Sequence, residues 1–301
     1  MQQVTLVGLG AIGAAYASRL VDAGVDLRVL ADADRAARYR LLPTVVNGRS
    51  YDFDVEVAPQ LRPAELVIVA VKHSGLAAAI ELLRPVVTAD TVIVSLLNGI
   101  GSEAELAREF PQATVLLAVS VGIDAVRDDR EVHFTSLGRI LFGEAVNPGP
   151  ASDKVEAVGE LLGRAGIEHC VPAHMVRELW WKFLINVGVN QVSAVLRAPY
   201  RVFQASDQPA REVMLAAQRE VIAVANAKGV GLTETDLDAW QSVLAKLGPD
   251  NYTSMAQDAL AGRPTEVDIF AGTMIELGRE TGVPVPVNTT LYGLLKAAES
   301  R

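Results

Sequence analysis

The sequence predicts an α/β chain: a doubly wound parallel sheet with helices on both faces, followed by an all-helical domain. In the first half, short β-branched runs that are apolar on both parities alternate with amphipathic stretches. A Gly-x-Gly-x-x-Gly turn follows the first of those runs. Past Pro172 the pattern changes to helical spacing with few strand-like runs.

The predicted strands are Val4–Val7, Asp26–Leu30, Leu66–Val71, Thr91–Leu96 and Thr114–Val119. Runs apolar on both parities suit strands buried on both faces. Between the first two, Ala11–Asp22 has helical spacing and meets a stop residue at Gly24. Strand after helix after strand is the grammar of a Rossmann-like, doubly wound sheet. Arg139–Phe142 and Glu168–Val171 read as later strands, with a helix over Asp153–Arg164 between them. Helical periods then fill Met175–Leu196, Asp207–Lys228, Glu234–Lys246, Thr265–Glu280 and Thr289–Ala298. Ser206, Thr233 and Asn288 suit helix N-caps, and Gly229 and Gly282 suit stops. The expected domains are residues 1–171 and residues 172–301.

Half of the 301 residues are hydrophobic and 21% are charged, enough to bury a substantial core. A formal net charge of −9 argues against nucleic acid, which needs a basic footprint, and weakens the case for an anionic membrane surface. Cys170 is the one cysteine, so no internal disulfide and no cysteine-based zinc site is expected; its apolar surroundings read as a buried strand and a core thiol. The histidines at 73, 133, 169 and 174 lack metal-ligand spacing, and no metal is expected. Without a signal-like start or a membrane-spanning run, the cytoplasm is the expected location. An apolar helical half leaves a homodimer open.

Gly8-Leu9-Gly10-Ala11-Ile12-Gly13 lies between a strand and a helix. Gly8 allows a tight turn, Gly10 lets a pyrophosphate approach the backbone, and Gly13 lets the helix pack against the sheet. The helix N-terminus adds free amides and partial positive charge. Asp32, at the end of the second strand, suits the ribose hydroxyls of NAD and would repel a 2′-phosphate. Arg35 and Arg38 could still reach such a phosphate, and Asp32 also reads as a cap for the next helix. The cofactor expectation is NAD(H), favoured slightly over NADP(H).

In the second half, Lys182, Asn186 and Asn190 stand four apart in an apolar helix, drifting about 40° around it per step. Buried polar groups without partners cost on the order of 1–3 kcal/mol each, so such a stripe faces either a satisfied internal network or a ligand. A lysine beside a carbonyl oxygen that gains charge during hydride delivery stabilises it and donates the proton.

These motifs resemble the ketopantoate reductase (2-dehydropantoate 2-reductase) family over nearly the whole chain. The resemblance rests on Gly8–Gly13, Val71-Lys72, Leu97-Asn98-Gly99-Ile100-Gly101, and Val132-His133-Phe134 through Gly138-Arg139-Ile140 to Gly143-Glu144. It continues through Trp180-x-Lys182-x-x-x-Asn186-x-x-x-Asn190, Thr253-Ser254-Met255-Ala256-Gln257-Asp258 and Gly262-Arg263-Pro264-Thr265-Glu266-Val267-Asp268. The resemblance implies a general acid at Lys182 and a Glu266 that contacts the substrate hydroxyl and orients the lysine. It implies substrate contacts from Asn98, Asn186, Asn190 and Ser254, a Lys72 near the cofactor, and a cleft that closes between the domains. Asn98 is also placed near the cofactor. On residue type alone, Glu266 reads as a first-turn helix acid, Ser254 as a local cap, Asn98-Gly99 as a turn and Lys72 as a solvated strand-end charge.

The sequence departs from the family pattern in two ways. Tyr200 stands eighteen residues after Lys182, where the family commonly has an asparagine lining the substrate pocket. Asp32 stands where many members have an arginine suited to the NADP phosphate. The implied activity is NAD(P)H-dependent reduction of 2-dehydropantoate to (R)-pantoate, a step of pantothenate biosynthesis. The alternatives are reduction of another branched or aromatic 2-oxo acid, with Tyr200 reshaping the pocket, and a non-catalytic dinucleotide sensor.

Overall fold

Alternate residues of the central strands supply two separate apolar layers, which is what a sheet covered on both faces requires. Leu66 and Ile68 pack into one cluster with Val4, Leu6, Leu27 and Val29. Val67 and Val69 pack into the opposite one with Val7, Leu30 and Ile93. The computed structural model describes residues 1–58 and 61–300. It divides into two compact units, Met1–Glu178 and Leu179–Arg301.

The first unit begins β1 (Gln3–Val7), α1 (Ala11–Asp22), β2 (Asp26–Leu30), α2 (Ala33–Leu41), β3 (Thr44–Val46), β4 (Arg49–Tyr51) and β5 (Asp54–Glu56). It continues β6 (Leu66–Val69), α3 (Leu76–Leu83), β7 (Val92–Ser95), α4 (Ser102–Glu109) and β8 (Thr114–Ile123). Then come β9 (Val126–Asp128), β10 (Glu131–His133), β11 (Leu137–Gly143), α5 (Asp153–Arg164) and β12 (Glu168–Cys170). Eight strands form one sheet in the order β12-β11-β8-β7-β6-β1-β2-β5. From β5 to β8 every pair is parallel, whereas β11 runs antiparallel to β8. The order reverses at β1, which lies between β2 and β6. In such sheets the crevice beyond the carboxyl ends at that switch point is where ligands bind.

α1 and α5 have the predicted bounds. A second sheet, ordered β4-β3-β10-β9, is an addition to the predicted elements. Its strands are three residues long, too short for alternation to register in the sequence. Cys170 is a correction: it is exposed, on β12, which lies at the edge of the sheet and among the described residues pairs only with β11.

In the second unit, α6 (Met175–Ile185), which starts just before it, runs through a π-helical turn (Asn186–Asn190) into α7 (Gln191–Leu196). Next come α8 (Arg201–Gln204), α9 (Pro209–Ala227), α10 (Glu234–Leu244) and α11 (Ser254–Leu260). A second π-turn (Asp268–Gly272) leads into α12 (Thr273–Thr281), and α13 (Pro286–Glu299) follows. Thr233 caps α10 in a capping box with Asp236, as its sequence position suggests. Two expected caps are displaced. Pro209 starts α9 behind Gln208, not Ser206, and Pro286 starts α13 behind Val285, leaving Asn288 buried within the helix. In both, a proline whose fixed φ suits the first helical turn sets the start.

Candidate active site

The turn after β1 sits at the switch point and is shaped by what its glycines omit. Gly8 has φ +103°, and a Cβ there would meet the Ala70 backbone at 2.6 Å. A Cβ on Gly13 would lie 1.9 Å from the Gly8 carbonyl oxygen. Gly10 differs: it occupies the N-cap position of α1, and a Cβ there would project into open space. The first turn of α1 carries no acidic side chain. Bare amides, a helix N-terminus and open space above a glycine fit a pyrophosphate. Leu9, Ala11 and Ile12 complete this turn.

The remaining first-unit candidates lie at the carboxyl ends of neighbouring parallel strands. Asp32 follows β2 and caps α2, accepting from the Arg35 amide at 2.7 Å. Its other oxygen is 3.5 Å from Arg35 Nε. The cap reading is therefore realised, and the carboxylate stays about half exposed at the strand end. Lys72 follows β6 and is exposed, and Asn98 follows β7 and is partly buried. The loop carrying Asn98 is pinned at its base, where Ser95 and Ser102 share a 2.8 Å hydrogen bond and Ser102 donates to Glu103 at 2.9 Å. Sequence reading did not single out Arg127. It donates to the Leu9 carbonyl in the glycine turn and to the Asp129 carbonyl at 2.7 Å, which sets a cation beside that turn.

In the second unit, one continuous helical stretch carries Lys182 on α6 and both Asn186 and Asn190 in the π-turn. A π-turn closes i→i+5 and advances less around the axis per residue than an α-turn. The step from Asn186 to Asn190 therefore takes back drift that an α-helix would have added. Both asparagines are buried, and Asn186 Nδ2 has no hydrogen-bond partner among the described residues. Lys182 is partly buried, and loss of hydration pushes its ammonium below the usual lysine pKa range. Among the described residues it makes no ion pair.

The other second-unit candidates are held close to this stretch. α11 packs on α7 and on the first π-turn. Ser254 is exposed in its first turn, and the cap is Thr253, which accepts from the Ala256 amide at 3.1 Å; the local-cap reading of Ser254 is corrected to its neighbour. Glu266 immediately precedes the helical segment that contains the second π-turn, and its carbonyl accepts from the Ile269 amide at 3.2 Å. The two π-turns pack on one another. Tyr200 heads α8, its amide bonded to the Asn251 carbonyl at 2.9 Å, and burial raises the pKa of its phenol.

Two family models match the chain: "Ketopantoate reductase PanE/ApbA" over residues 4–147 and "Ketopantoate reductase PanE/ApbA C terminal" over residues 174–299. A 2-dehydropantoate 2-reductase of Halobacterium salinarum is 30% identical over 236 residues, covering 78% of this chain and 76% of that protein. The chain belongs to the ketopantoate reductase family. As a member, it is an NAD(P)-dependent oxidoreductase acting on a CH-OH group. The crystal structure of the Geobacter metallireducens 2-dehydropantoate 2-reductase, 28% identical, superposes with a TM-score of 0.85 over 98% of this chain and 99% of that one. A D-mandelate dehydrogenase in complex with NADH shares the fold at a TM-score of 0.88 and 18% identity, over 99% and 98% of the two chains.

Proposed function

We propose that this reductase converts 2-dehydropantoate to (R)-pantoate, with Lys182 as the proton donor and NADH as the preferred cofactor. The supporting observation is the pairing of a dehydrated, unpaired Lys182 with an unsatisfied, buried Asn186 Nδ2 on one helical stretch. A substrate oxygen near Asn186 relieves an orphaned donor, and a carbonyl oxygen near Lys182 gives the ammonium the partner it lacks. A dinucleotide held at the glycine turn would supply the hydride for the 2-oxo carbon. As that carbon accepts it, charge builds on the carbonyl oxygen, and Lys182 Nζ stabilises the charge and gives up a proton. Dehydration makes Lys182 a readier donor by bringing its pKa toward the working pH. Asn98, Asn186, Asn190 and Ser254 hold the substrate, and Glu266 contacts its hydroxyl and orients Lys182.

The amides of Gly8–Gly13 would hold the pyrophosphate, and Lys72 would lie near the cofactor. Asp32 supports the NADH preference: its exposed carboxylate suits ribose hydroxyls, and it engages Arg35, which would otherwise be available to a 2′-phosphate. Tyr200 supports a second reading. Its partly buried ring stands where relatives commonly have an amide and replaces a polar contact with an apolar face, which favours another branched or aromatic 2-oxo acid.

Absorbance decay at 340 nm tests both readings, with 2-dehydropantoate and a panel of other 2-oxo acids, each run with NADH and NADPH. Turnover of 2-dehydropantoate above the panel supports the first reading, and a branched or aromatic acid above it supports the second. Lys182→Ala should lower turnover by roughly 10²–10⁴-fold, the usual contribution of a general acid. Unchanged turnover in that variant refutes the lysine's role.

A further inference from the structure

Two wide turns in one helical unit need more than helical hydrogen bonds to hold them. A π-turn interrupts the i→i−4 ladder, and side chains commonly enter the interruption. At the first turn, two glutamines do this. Gln218, on α9, donates from Nε2 to the Leu184 carbonyl at 3.3 Å. Its approach depends on Gly188, where a Cβ would come within 2.5 Å of the Gln218 side chain. Gln191 donates from Nε2 to the Val187 carbonyl at 2.7 Å.

Gln191 also reaches the second turn. Its Oε1 accepts from the Ala271 amide at 3.1 Å, inside Asp268–Gly272. The remaining Nε2 hydrogen goes to Asn288 Oδ1 at 3.0 Å. Asn288 is itself fixed, donating to Glu220 Oε2 at 2.7 Å and to the Ala217 carbonyl at 3.2 Å. Gln191 is fully buried, and its amide can face only one way, because Ala271 N–H must meet an acceptor.

We propose that Gln191 is a positioning residue that locks the two π-turns together and so holds Lys182, Asn186 and Asn190 in register with the segment carrying Glu266. This rests on the roles proposed above for Lys182 and Glu266. Ordinary core packing asks only for an apolar side chain of this volume. It does not account for an amide that joins a carbonyl in one interrupted ladder to an N–H in the other.

The test compares Gln191→Met, which keeps the volume and removes all three bonds, with Gln191→Glu, which keeps the acceptor for Ala271. Each is combined with Lys182→Ala, and rates are normalised to NADH-binding sites. In Gln191→Met, turnover should fall roughly 10–100-fold, as a sub-ångström to 1 Å misplacement produces. The isotope effect with 4-deuterated NADH should rise, and Gln191→Glu, which turns an acceptor toward the Val187 and Asn288 oxygens in place of the donor, should recover none of the loss. Added to Lys182→Ala, Gln191→Met should cost less than about twofold more, since residues acting through one another are not additive. A loss of folded protein alone would leave the isotope effect and the substrate KM unchanged. Wild-type turnover per site in Gln191→Met, or a full additive loss in the double variant, overturns the proposal. Unchanged turnover in Lys182→Ala alone instead refutes the acid assignment on which it rests.

Discussion

Glu103 should make the first unit lose stability as pH rises through the neutral range. The residue sits in the first turn of α4 with 4% of its surface exposed. Burial outweighs the Ser102 hydrogen bond and raises the carboxyl from 4.5 to about 7. Below 4.5 the proton is bound in both folded and unfolded chains, and the group has no net effect. Between 4.5 and about 7 the unfolded chain has lost the proton and the folded one retains it. Stability then falls by about 1.4 kcal/mol per pH unit. Above about 7 the loss levels off near roughly 3 kcal/mol. Glu103→Gln removes the titration and keeps an oxygen for Ser102. Relative to the parent, the variant should gain about 2–3 kcal/mol between pH 4.5 and pH 8. Urea unfolding at both pH values should be followed by far-ultraviolet circular dichroism, since Trp180, Trp181 and Trp240 all lie in the second unit. A difference between the proteins that is the same at both pH values refutes the reasoning.

Three further outcomes follow from the geometry. Gly13→Ala must displace the Gly8 carbonyl and should lower the melting temperature, whereas Gly10→Ala should melt like the parent but weaken NADH binding in a fluorescence titration, because its Cβ fills the open space at the helix N-terminus. Asp32→Ser keeps a capping oxygen and removes the carboxylate; the ratio of kcat/KM for NADH to that for NADPH should fall by roughly tenfold or more, the worth of one charged hydrogen bond. Thr233→Ala removes half of the capping box on α10 and should cost about 1 kcal/mol in chemical denaturation, with the isotope effect unchanged.

What could be read from the sequence was set by length and by burial on both sides. The central strands and α1 and α5 announced themselves because several residues in a row obey one period. The small sheet did not, because three-residue strands carry no period. Cys170 misled because an apolar neighbourhood in sequence says nothing about whether a strand is central or at the edge. The lysine–asparagine stripe was visible as polar residues at helical spacing, but the π-turn beneath it was not, since a wide turn leaves composition unchanged. Gln191 was hidden for a related reason: beyond the local Val187, its partners Ala271 and Asn288 are brought to it only by the folding of the second π-turn and α13.

A π-turn is an α-helix holding one residue more than its ladder can use. Removing a residue from Asn186–Asn190 would let the ladder close as an α-helix; the helix beyond would keep nearly its orientation, but the polar residues of the turn would change their spacing and facing relative to Lys182. The same holds for Asp268–Gly272 and the helix that follows it. These two stretches should therefore accept changes of side chain far more readily than changes of length. Among relatives of this chain, a gap of one residue at either turn would mark a reorganised active centre even where every polar side chain is retained.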